Sequence, residues 1–400
     1  MQKNKKILFA ISGGIAAYKT PDILHGWIKQ DCEVETILTK QAEAFVSPLV
    51  LSSLSGRRVW REDDFMSSDC GFKIPHISLA QWADVIVIAP CTANALRIAA
   101  TGDSSTLLGA TLIACRKPVV LFPAMNSNML AHQITRTNIE TCKELGYTVV
   151  DSDEGVLACG AEGKGRLPSA ETIYENVRRA LYPKKDLIGK RVMITAGPTH
   201  EYIDPVRYIS NPSSGKMGYA LAKNAWYRGA EVTLISGPCS LDCVPQIEKI
   251  SVTTAEEMYN ACMSRGQRAD IIIKAAAVGD FRAVERSDSK IKREGRDKVS
   301  IEFVQNKDIA CELGRNKHSG QILVGFAAET DDLLVNAEKK IRSKNLDVIV
   351  VNNILQQNAG FGCDTNSVVI ISSDGAKTEV SGSKEDVAAA IIDTIVKKLA

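Results

Sequence analysis

Two separate strand–glycine loop–helix beginnings occur in this chain, and this repetition constrains the fold more than any other feature. In the first, the apolar run Ile7–Ile11 leads into Ser-Gly-Gly at 12–14 and then into a helical segment. In the second, Val192–Thr195 leads into Ala-Gly-Pro at 196–198, a polar loop and a helix that opens near Gly215. Because a strand, a glycine turn and a helix begin a parallel sheet, the sequence predicts two successive α/β domains.

The bulk composition agrees with two globular domains and excludes several other classes. The chain has 400 residues, of which 45% are hydrophobic and 24% charged, enough for two substantial cores. A net charge of +2 gives no reason to expect binding to nucleic acid or to an anionic membrane. No apolar run approaches the ~20 residues that cross a bilayer, and the first residues lack a signal-peptide cleavage pattern.

The eleven cysteines contain no CxxC pair and do not alternate with histidine. Cys239 and Cys243 are the closest two, and no neighbouring residue would complete a zinc site. The pattern indicates free thiols in a reducing cytosol. Apart from Cys159, the cysteines are predicted to be small core residues.

Short β-branched runs alternate with helical segments in both halves, which predicts parallel sheets covered by helices on both faces. A linker is predicted at 183–189, between domains at 1–182 and 190–400. Ser383, with Asp386 three residues later, is predicted to cap a final helix that runs to Leu399. The predicted strands are 6–11, 34–38, 85–89, 119–122 and 147–150, then 192–195, 232–236, 247–252, 271–275, 322–326 and 348–352, with a hairpin at 368–372 and 378–380. The predicted helices of the first half lie near 16–29, 48–54, 106–115 and 135–145.

Ser12, Gly13 and Gly14 could hold a phosphate, because backbone N–H groups at a helix start point at the ligand and carry the positive end of the helix dipole. The same residues also fit a tight turn without a ligand. The GxGxxG spacing is absent, which argues against a dinucleotide.

Polar strand ends and one histidine predict a pocket at the rim of the first sheet. His76 is interpreted as a loop residue ahead of the strand at 85–89, and a lone loop histidine is most often only a surface residue. Its place before Ala89–Asn94 favours a function, since Pro, Thr and Asn there suit hydrogen bonding to a heteroaromatic ring. Asn126 ends a further strand, at 123–126.

Cys159 lies in a segment with four glycines within eleven residues, 155–165. Such a segment is predicted to be a mobile flap rather than a core element. An exposed thiol on a flap could deliver a proton to a bound substrate.

In the second half, the segment 211–217 is not a P-loop, because the leading glycine is missing and Met217 replaces the Ser/Thr that binds magnesium. A basic cluster at 290–293 lies in a polar loop of roughly twenty residues, a length that favours a function over a solvated patch. Its cations could neutralise a triphosphate. Lys340 and Lys344 are four residues apart on a predicted helix and so face the same way.

Taken in order over nearly the whole chain, these motifs resemble those of the bacterial bifunctional phosphopantothenoylcysteine decarboxylase/phosphopantothenate–cysteine ligases of coenzyme A biosynthesis. The first half carries Ser-Gly-Gly at 12–14, Pro-His-Ile at 75–77, Ala-Pro-Cys-Thr-Ala-Asn at 89–94, Pro-Ala-Met-Asn at 123–126 and Ala-Cys-Gly at 158–160. The second half carries Thr-Ala-Gly-Pro-Thr at 195–199, Asp-Pro-Val-Arg-Tyr-Ile-Ser-Asn at 204–211, Ser-Ser-Gly-Lys-Met-Gly at 213–218, Ala-Ala-Val at 276–278, Lys-Ile-Lys-Arg at 290–293 and Gly-Phe-Ala-Ala-Glu-Thr at 325–330. The resemblance implies a flavodoxin-like, FMN-binding parallel-sheet domain followed by a Rossmann-like α/β ligase domain.

For the first domain, the resemblance implies decarboxylation of 4′-phosphopantothenoylcysteine. His76 would act beside the flavin, Asn126 would hold the substrate carboxylate and Cys159 would donate a proton. FMN would oxidise the substrate thiol to a thioaldehyde, which accepts the electrons left by CO₂. The residues expected to hold FMN are Ser12, Gly13, Gly14, Thr39, Pro90, Cys91, Thr92 and Met125.

For the second domain, the resemblance implies that CTP and Mg²⁺ activate 4′-phosphopantothenate as an acyl-cytidylate, from which the cysteine amine displaces CMP. Lys290 would stabilise charge on the triphosphate, and Asn211 and Arg207 would position the acyl-cytidylate. The metal ligands are not assigned. The residues expected to hold the nucleotide are Lys274, Ala275, Ala276, Asp280, Lys290, Asn306, Lys307, Asp308, Ile309, Phe326, Lys340 and Lys344. The family also implies a homo-dodecamer, through trimeric FMN domains and dimeric ligase domains.

The chain departs from the family pattern at Leu130, at Lys307, which replaces a proline, and at 103–106 near the flavin. A different hypothesis is a flavin-binding regulatory protein with an inert second domain, which would need neither Cys159 nor Lys290. An NAD-dependent dehydrogenase is disfavoured by the missing GxGxxG and by Thr39, which stands where an acidic residue would bind the ribose.

Overall fold

A computed structural model describes residues 4–67, 74–158, 160–292, 298–329, 333–353 and 363–399. The chain divides into two compact units, Met1–Pro183 and Lys184–Ala400. Within the described residues, no helix combines the length and the apolar character needed to pass through a membrane.

The first unit is built on a six-stranded sheet in which every pair of neighbours is parallel. Its strands are β1 (Lys6–Ile11), β2 (Glu33–Leu38), β3 (Val59–Arg61), β4 (Val85–Cys91), β5 (Val119–Pro123) and β6 (Thr148–Val149). They lie in the order β3-β2-β1-β4-β5-β6. The order reverses between β1 and β4, and ligands of such sheets bind at this switch point.

The sheet of the first unit is buried on both faces. Ile7, Phe9 and Ile11 of β1 pack into one core cluster, whereas Leu8 and Ala10 pack into another. A strand covered on both sides must be apolar at successive positions, which explains the continuous hydrophobic run in the sequence. The covering helices are α1 (Thr20–Ile28), α2 (Pro48–Ser55), α3 (Pro75–Trp82), α4 (Ala93–Thr101), α5 (Leu107–Ala114), α6 (Ser127–Ala131), α7 (Gln133–Glu144) and α8 (Ala170–Leu181), with 3₁₀ turns at Ile15–Lys19, Lys40–Ala44 and Glu62–Asp64.

The glycine-rich segment expected to be a flap forms an antiparallel hairpin of β7 (Asp153–Val156) and β8 (Glu162–Arg166). The turn is closed by the Leu157 N–H, which donates to the Ala161 carbonyl at 2.8 Å. The flap is therefore a two-stranded element, with an irregularity in its register between Asp153 and Glu154. Cys159 lies outside the described residues.

The second unit contains an eight-stranded sheet and two small two-stranded sheets, β10–β11 and β15–β16. The strands are β9 (Arg191–Ala196), β10 (Glu201–Tyr202), β11 (Tyr208–Ile209), β12 (Glu231–Ser236), β13 (Glu248–Ser251), β14 (Ile271–Lys274), β15 (Phe281–Ala283), β16 (Phe303–Gln305), β17 (Ile322–Glu329), β18 (Val348–Asn353), β19 (Thr365–Ser372) and β20 (Lys377–Ser383). The large sheet has the order β13-β12-β9-β14-β17-β18-β19-β20. It is parallel as far as β18, and β19 and β20 close its edge as an antiparallel hairpin.

Helices cover both faces of the second sheet as well. They are α9 (Lys216–Tyr227), α10 (Ala255–Gly266), α11 (Ile309–Arg315), α12 (Leu333–Ser343) and α13 (Lys384–Leu399). The predicted cap of α13 is confirmed: the Asp386 N–H donates to Ser383 Oγ at 3.2 Å, and Ser383 Oγ donates to the Asp386 carboxylate at 2.6 Å.

Part of the predicted linker belongs to the second unit. Leu187 is fully buried in the core of that unit. Asp186 accepts from Arg228 Nε at 2.7 Å, and the buried Arg228 also pairs with Asp393 at 2.6 Å.

The predicted parallel sheets and their helical cover are confirmed in both units. The strand order of the first unit, 3-2-1-4-5-6, differs from the 2-1-3-4-5 order of flavodoxin, because it places three strands rather than two on the first side of the switch point. The first six strands of the second sheet follow the same order. The short strand β3 and the two-stranded sheets were not predicted.

Candidate functional sites

The carboxyl ends of β1, β4 and β5 open onto a cavity of about 670 Å³ in the first unit. This size suits a ligand of cofactor dimensions. The cavity therefore lies at the switch point, where the sheet order predicts a ligand. Its walls come from the loop after β1, the start of α4, the loop after β5 and the flap, and they comprise Gly13, Gly14, Ile15, Ala16, Tyr18, Lys19, Thr92, Ala93, Asn94, Ala124, Met125, Asn126, Met129, Val156, Leu157, Ala158, Gly165, Arg166 and Leu167.

Ser12 joins the two strands at the switch point rather than pointing freely into the cavity. Its buried Oγ donates to the Pro90 carbonyl at 2.7 Å and lies 3.0 Å from Thr92 Oγ1. The Thr92 N–H donates to the same Ser12 oxygen at 2.9 Å. Ser12 and Pro90 thus hold the loop in shape, and Thr92 presents the start of α4 to the cavity.

At Gly13 and Gly14 the loop runs so close to neighbouring segments that a side chain would meet them. A Cβ on Gly13 would lie 2.3 Å from Gln41 Cβ, and one on Gly14 would lie 3.1 Å from Thr92 Cγ2. A side chain at position 13 would clash with Gln41, whereas one at position 14 would only crowd Thr92. The result is a backbone cradle at the start of the helical stretch that begins with Ile15, which suits a phosphate group.

Of the residues expected to contact the flavin, Thr39 can offer its side chain, whereas Cys91 can offer only its backbone. Thr39, directly after β2, has a buried hydroxyl with no hydrogen-bond partner in the described structure, so a ligand atom could satisfy it. Cys91 is fully buried in the core, and burial raises the pKa of its thiol. Cys91 can contribute only its backbone, whose carbonyl accepts from the Ala124 N–H at 3.1 Å.

The flap is docked against the loop that carries Met125 and Asn126. The Met125 N–H donates to the Gly165 carbonyl at 3.0 Å. A Cβ on Gly165 would lie 2.1 Å from the Met125 carbonyl oxygen, and one on Gly163 would lie 2.8 Å from Ser127 Oγ. The flap glycines thus permit close docking beside Asn126, and Ala158 brings the tip of the hairpin to the cavity wall.

His76 does not lie in a loop, so that interpretation was wrong. It is the second residue of α3, because Pro75 at the first helical position favours a helix start. Its ring packs edge-on against Phe65 at 5.5 Å, and its buried Nδ1 has no partner in the described structure. His76 is not among the described residues that line the cavity.

The second sheet also has a cavity at its switch point, of about 130 Å³. It lies between the start of α9, the loop after β14 and the ends of β17 and β18. Gly197, with a φ of +75°, and Gly215, with a φ of +78°, meet behind it, since a Cβ on Gly215 would lie 3.4 Å from Gly197 Cα. The lining residues are Ser213, Ser214, Gly215, Lys216, Met217, Gly218, Ala275, Ala276, Ala277, Phe326, Ala327, Asn352, Asn366 and Lys384.

Three of the predicted nucleotide-binding segments meet beside β14. Asn211 Nδ2 donates to the Val278 carbonyl at 3.1 Å. Asn306 Nδ2 donates to the Gly279 carbonyl at 2.8 Å, and the Asn306 N–H donates to the Asp280 carbonyl at 2.8 Å. The structure thus brings together the loop at 204–211, the loop after β14 and the segment before α11.

Asp204 attaches the basic loop to the same region. Its fully buried carboxylate accepts from the N–H groups of Val206 and Arg207, both at 2.7 Å, and from Ile291 at 3.2 Å. Burial favours the neutral acid, but these three donors outweigh it and lower the pKa of Asp204. Arg207 Nη2 also donates to the Ile291 carbonyl at 2.8 Å, so the backbone next to the exposed Lys290 is held from both sides.

A second group of predicted residues forms around Asp308. Lys344 lies 2.8 Å from the Asp308 carboxylate, which also caps α11 by accepting from the Cys311 N–H at 3.1 Å. Burial lowers the pKa of Lys274 at the end of β14, while nearby Asp308 opposes that shift. A desolvated ammonium of this kind can pair with a phosphate.

The remaining predicted residues fall into different settings. Lys307 Nζ lies 4.6 Å from the centre of the Tyr259 ring, so the residue that replaces proline is anchored by a cation–π contact. Ile309 is buried in the core and can offer only its backbone. Lys340 is half-buried on α12, the helix that also ends near Lys344.

Sequence reasoning missed Asn352, Asn366 and Lys384, which line the second cavity. Lys384 is nearly buried, donates to the Cys363 carbonyl, and has its pKa lowered by burial. Asn366 Nδ2 donates to Asn352 Oδ1 at 3.3 Å. For Asn352 and Asn366, the only signal in the sequence was a polar residue within an otherwise apolar strand. Among the described residues, no cluster of three or more His, Cys, Asp or Glu side chains could hold a metal.

Comparison with known proteins matches each half to one family. Residues 1–181 match the Flavoprotein family, and residues 187–399 match the DNA/pantothenate metabolism flavoprotein C-terminal domain. The chain is 43% identical over 399 residues to the Coenzyme A biosynthesis bifunctional protein CoaBC of Bacillus subtilis (strain 168), covering 99% of this chain and 97% of the relative. It is 39% identical over 396 residues to the protein of the same name from Escherichia coli (strain K12), covering 98% and 97%.

A crystal structure of the C-terminal domain of a Coenzyme A biosynthesis bifunctional protein CoaBC is 39% identical and covers 54% of this chain and 98% of its own, with a TM-score of 0.47. The two full-length relatives settle the family by themselves, because the identity extends across both units. The chain therefore belongs to the family of coenzyme A biosynthesis bifunctional proteins, with a flavoprotein domain followed by a pantothenate-metabolism domain.

Proposed function

We propose that this chain carries out two successive reactions of coenzyme A biosynthesis. The ligase domain, 190–400, joins 4′-phosphopantothenate to cysteine at the expense of CTP, and the decarboxylase domain, 1–182, converts the product to 4′-phosphopantetheine. The observation that carries this proposal is the pair of chemically different switch-point sites in a chain whose relatives are bifunctional proteins of this pathway. The flavin-binding regulatory alternative gains no support from any observation.

The first cavity fits FMN. The backbone cradle at Gly13 and Gly14 suits the phosphate, and the buried, unpartnered Thr39 hydroxyl can hydrogen-bond the cofactor. Thr92 and Met125 face the cavity where the ring system would lie. When bound, FMN supplies the electron sink that a cysteine carboxylate otherwise lacks.

Residues of this chain would bind and protonate the decarboxylase substrate. Asn126 lies at the cavity wall, where its amide would hold the substrate carboxylate, and the docked flap lies beside it. Cys159, next to the cavity-lining Ala158, would donate the final proton. His76 does not line the cavity among the described residues, and its proposed role beside the flavin rests on the family resemblance.

In the ligase, the loop after β14 and the start of α9 would hold the nucleotide, with Mg²⁺ carried largely by its phosphates. Asn211 and Arg207 would position the acyl-cytidylate. Lys290 would stabilise the charge that develops as pyrophosphate leaves. The Asp204 contacts support this role, because they restrain the backbone beside Lys290.

Self-association is part of the proposal, with trimers of the first domain and dimers of the second assembled into a dodecamer. In the first unit, Ile15, Tyr18, Leu49 and Ile74 are exposed. In the second, the small sheets β10–β11 and β15–β16 expose a group of apolar side chains: Tyr208, Ile209, Phe281, Phe303 and Val304. Exposed apolar patches of this kind mark protein interfaces. We place the assembly in the cytoplasm.

The deciding experiment follows both half-reactions in one preparation. The purified protein should be yellow, release pyrophosphate from CTP when 4′-phosphopantothenate is present, and release CO₂ once cysteine is added. A colourless protein that cannot be reconstituted with FMN would contradict the first half. Failure to turn over CTP would contradict the second.

A further inference from the structure

Arg166, the last residue of the flap strand β8, lines the first cavity and has no role in either proposed reaction. It is exposed, and within the described residues it forms no ion pair. Lys19 is the other basic residue among the described lining residues, and no Asp or Glu is among them. The cavity therefore offers positive charge without a carboxylate to neutralise it, which suits an anionic ligand.

The guanidinium of Arg166 lies across the other strand of the flap. A Cβ on Gly155 of β7 would lie 2.6 Å from Arg166 Nη1 and 3.2 Å from its Cδ, so the side chain passes directly over this glycine. The preceding residue, Gly165, is held on the loop after β5 by the bond from the Met125 N–H. The backbone of Arg166 is thus fixed beside that loop, while its charge lies over the adjacent strand, about 5 Å farther out.

The inference rests on the proposed decarboxylase function, whose substrate has two anionic groups, a carboxylate and a phosphate monoester. The carboxylate is proposed to lie at Asn126. An ion pair with it would stabilise the ground state, because charge moves away from the carboxylate as CO₂ forms. The phosphate takes no part in the reaction, so a strong contact with it binds the substrate without opposing the chemistry.

The flavin also carries a phosphate, but the glycine cradle that suits it lies elsewhere in the cavity. The cradle follows β1, whereas the flap is docked on the loop after β5, two strands away. Neighbouring strands are about 4.8 Å apart, so the two positions are about 10 Å apart and one phosphate cannot contact both. Val156 and Leu157 of the flap add an apolar surface for the dimethyl-bearing chain that joins the substrate's carboxylate and phosphate ends.

We propose that Arg166 binds the phosphate of the decarboxylase substrate and thereby selects 4′-phosphopantothenoylcysteine over unphosphorylated pantothenoylcysteine. Its planar fork of N–H donors matches two phosphate oxygens, and such charge-assisted pairs are among the strong hydrogen bonds. Because the contact is the same before and during the reaction, its loss raises KM and leaves kcat unchanged.

The test uses the full-length, flavin-loaded protein and measures CO₂ release from the phosphorylated and the unphosphorylated substrate. Arg166→Gln should raise KM for the phosphorylated substrate about 10- to 100-fold, with kcat and the turnover of the unphosphorylated substrate unchanged. Arg166→Lys keeps the charge but loses the fork, so its KM should lie between those of the parent and Arg166→Gln. Lys164→Gln removes an exposed lysine of the same strand that is not among the described lining residues, and it should behave like the parent.

A second measurement does not depend on turnover. The reaction product with and without its phosphate, 4′-phosphopantetheine and pantetheine, is titrated against the flavin absorbance, which reports the first cavity alone. Arg166→Gln should weaken binding of the phosphorylated form by the same factor as it raises KM, and should leave the affinity for FMN unchanged.

Equal effects of Arg166→Gln on the phosphorylated and unphosphorylated molecules, or a parent with no preference between them, would overturn the proposal. A loss of FMN affinity instead would assign the guanidinium to the cofactor phosphate and would overturn it as well. A parent that releases no CO₂ would defeat the decarboxylase function, while the two titrations would still decide the role of Arg166.

Discussion

The six strands of the first sheet and the first six strands of the second share one order, yet the loops after β1 and β9 differ. In the first unit, three residues after β1 lead directly into the helical stretch that starts at Ile15, and the cavity beside them measures about 670 Å³. In the second, the chain makes a detour through β10 and β11 before α9 begins at Lys216, and the cavity measures about 130 Å³. One topology therefore supplies two different kinds of site.

The detour explains why more polar side chains form hydrogen bonds around the second site. It contributes Asn211, which bonds to the loop after β14, and Asp204, which holds the basic loop. The direct loop of the first unit contributes only a glycine cradle and leaves the rest to the flap. A switch point thus fixes where a ligand binds, while loop length decides how many side chains reach it.

The largest expected effect is a loss of ligase activity with no change in decarboxylase activity. Lys290→Ala should reduce acyl-cytidylate formation about 100- to 1,000-fold, because it removes a charge that stabilises the departing pyrophosphate. Decarboxylation of supplied 4′-phosphopantothenoylcysteine should not change. Lys292→Ala, an exposed lysine of the same loop, is the matched control. Equal losses in both variants, measured as pyrophosphate release, would reduce Lys290 to one member of a diffuse basic patch.

A change in the flap should affect only the first site. Gly165→Ala places a Cβ 2.1 Å from the Met125 carbonyl, so the flap must move away from Asn126. We expect CO₂ release to fall about 100-fold, since small misplacements of catalytic groups are costly, with ligation intact.

Gly146→Ala is the control for that flap variant. Gly146 also has a positive φ, of +85°, but nothing lies within 4 Å of its would-be Cβ. Gly165 has a φ of +138°, so Gly146→Ala controls for alanine at a positive φ, although not at the same φ, without the clash. Similar decarboxylase activities in the two variants would show that flap docking is unimportant.

Substitutions in the glycine cradle should weaken flavin binding to different degrees. Gly13→Ala forces a Cβ to within 2.3 Å of Gln41. If the overpacking of about 1–3 kcal/mol acts on the bound state, flavin binding weakens about 5- to 150-fold. Gly14→Ala, with its nearest contact at 3.1 Å, should lose less. Fluorescence titration of the flavin-free protein measures both affinities. The reverse order would place the phosphate elsewhere.

The smallest effect concerns Asp204. Asp204→Asn should lower ligation about threefold to tenfold, because the amide offers a weaker acceptor to the Ile291 N–H than the carboxylate does. The lowered pKa of Asp204 stabilises the folded state at all pH values above the unfolded value of about 3.9, and this stability is lost as the pH falls through the lowered pKa. Acid unfolding followed by circular dichroism should show a shallower decline below about pH 4 in the variant. An unchanged acid transition would contradict this account.

Local sequence patterns were enough to predict the strands of the two large sheets apart from β3, and their polar ends, because apolar runs between glycine turns are short-range signals. They were not enough for His76, where Pro75 starts a helix that the loop interpretation overlooked. The predicted core position of Cys91 is confirmed, but the patterns could not show that Ile309 turns its side chain into the core, since that depends on helix register. Cys239 is half-buried, which corrects the expectation that it is a core residue. Lys384 was missed because more than a hundred residues separate it from Gly215, and only the folded sheet brings both to one cavity.

The antiparallel edge of the second sheet has a practical consequence for anyone who produces this protein. Asn366 on β19 and Lys384 at the start of α13 form part of the wall of the second cavity, although they follow every sequence motif of the second half. Shortening the gene before codon 384, or fusing a bulky partner that disturbs this hairpin, should spare flavin colour and CO₂ release while abolishing CTP turnover. Purification tags and reporters are therefore better attached at the other end of the polypeptide.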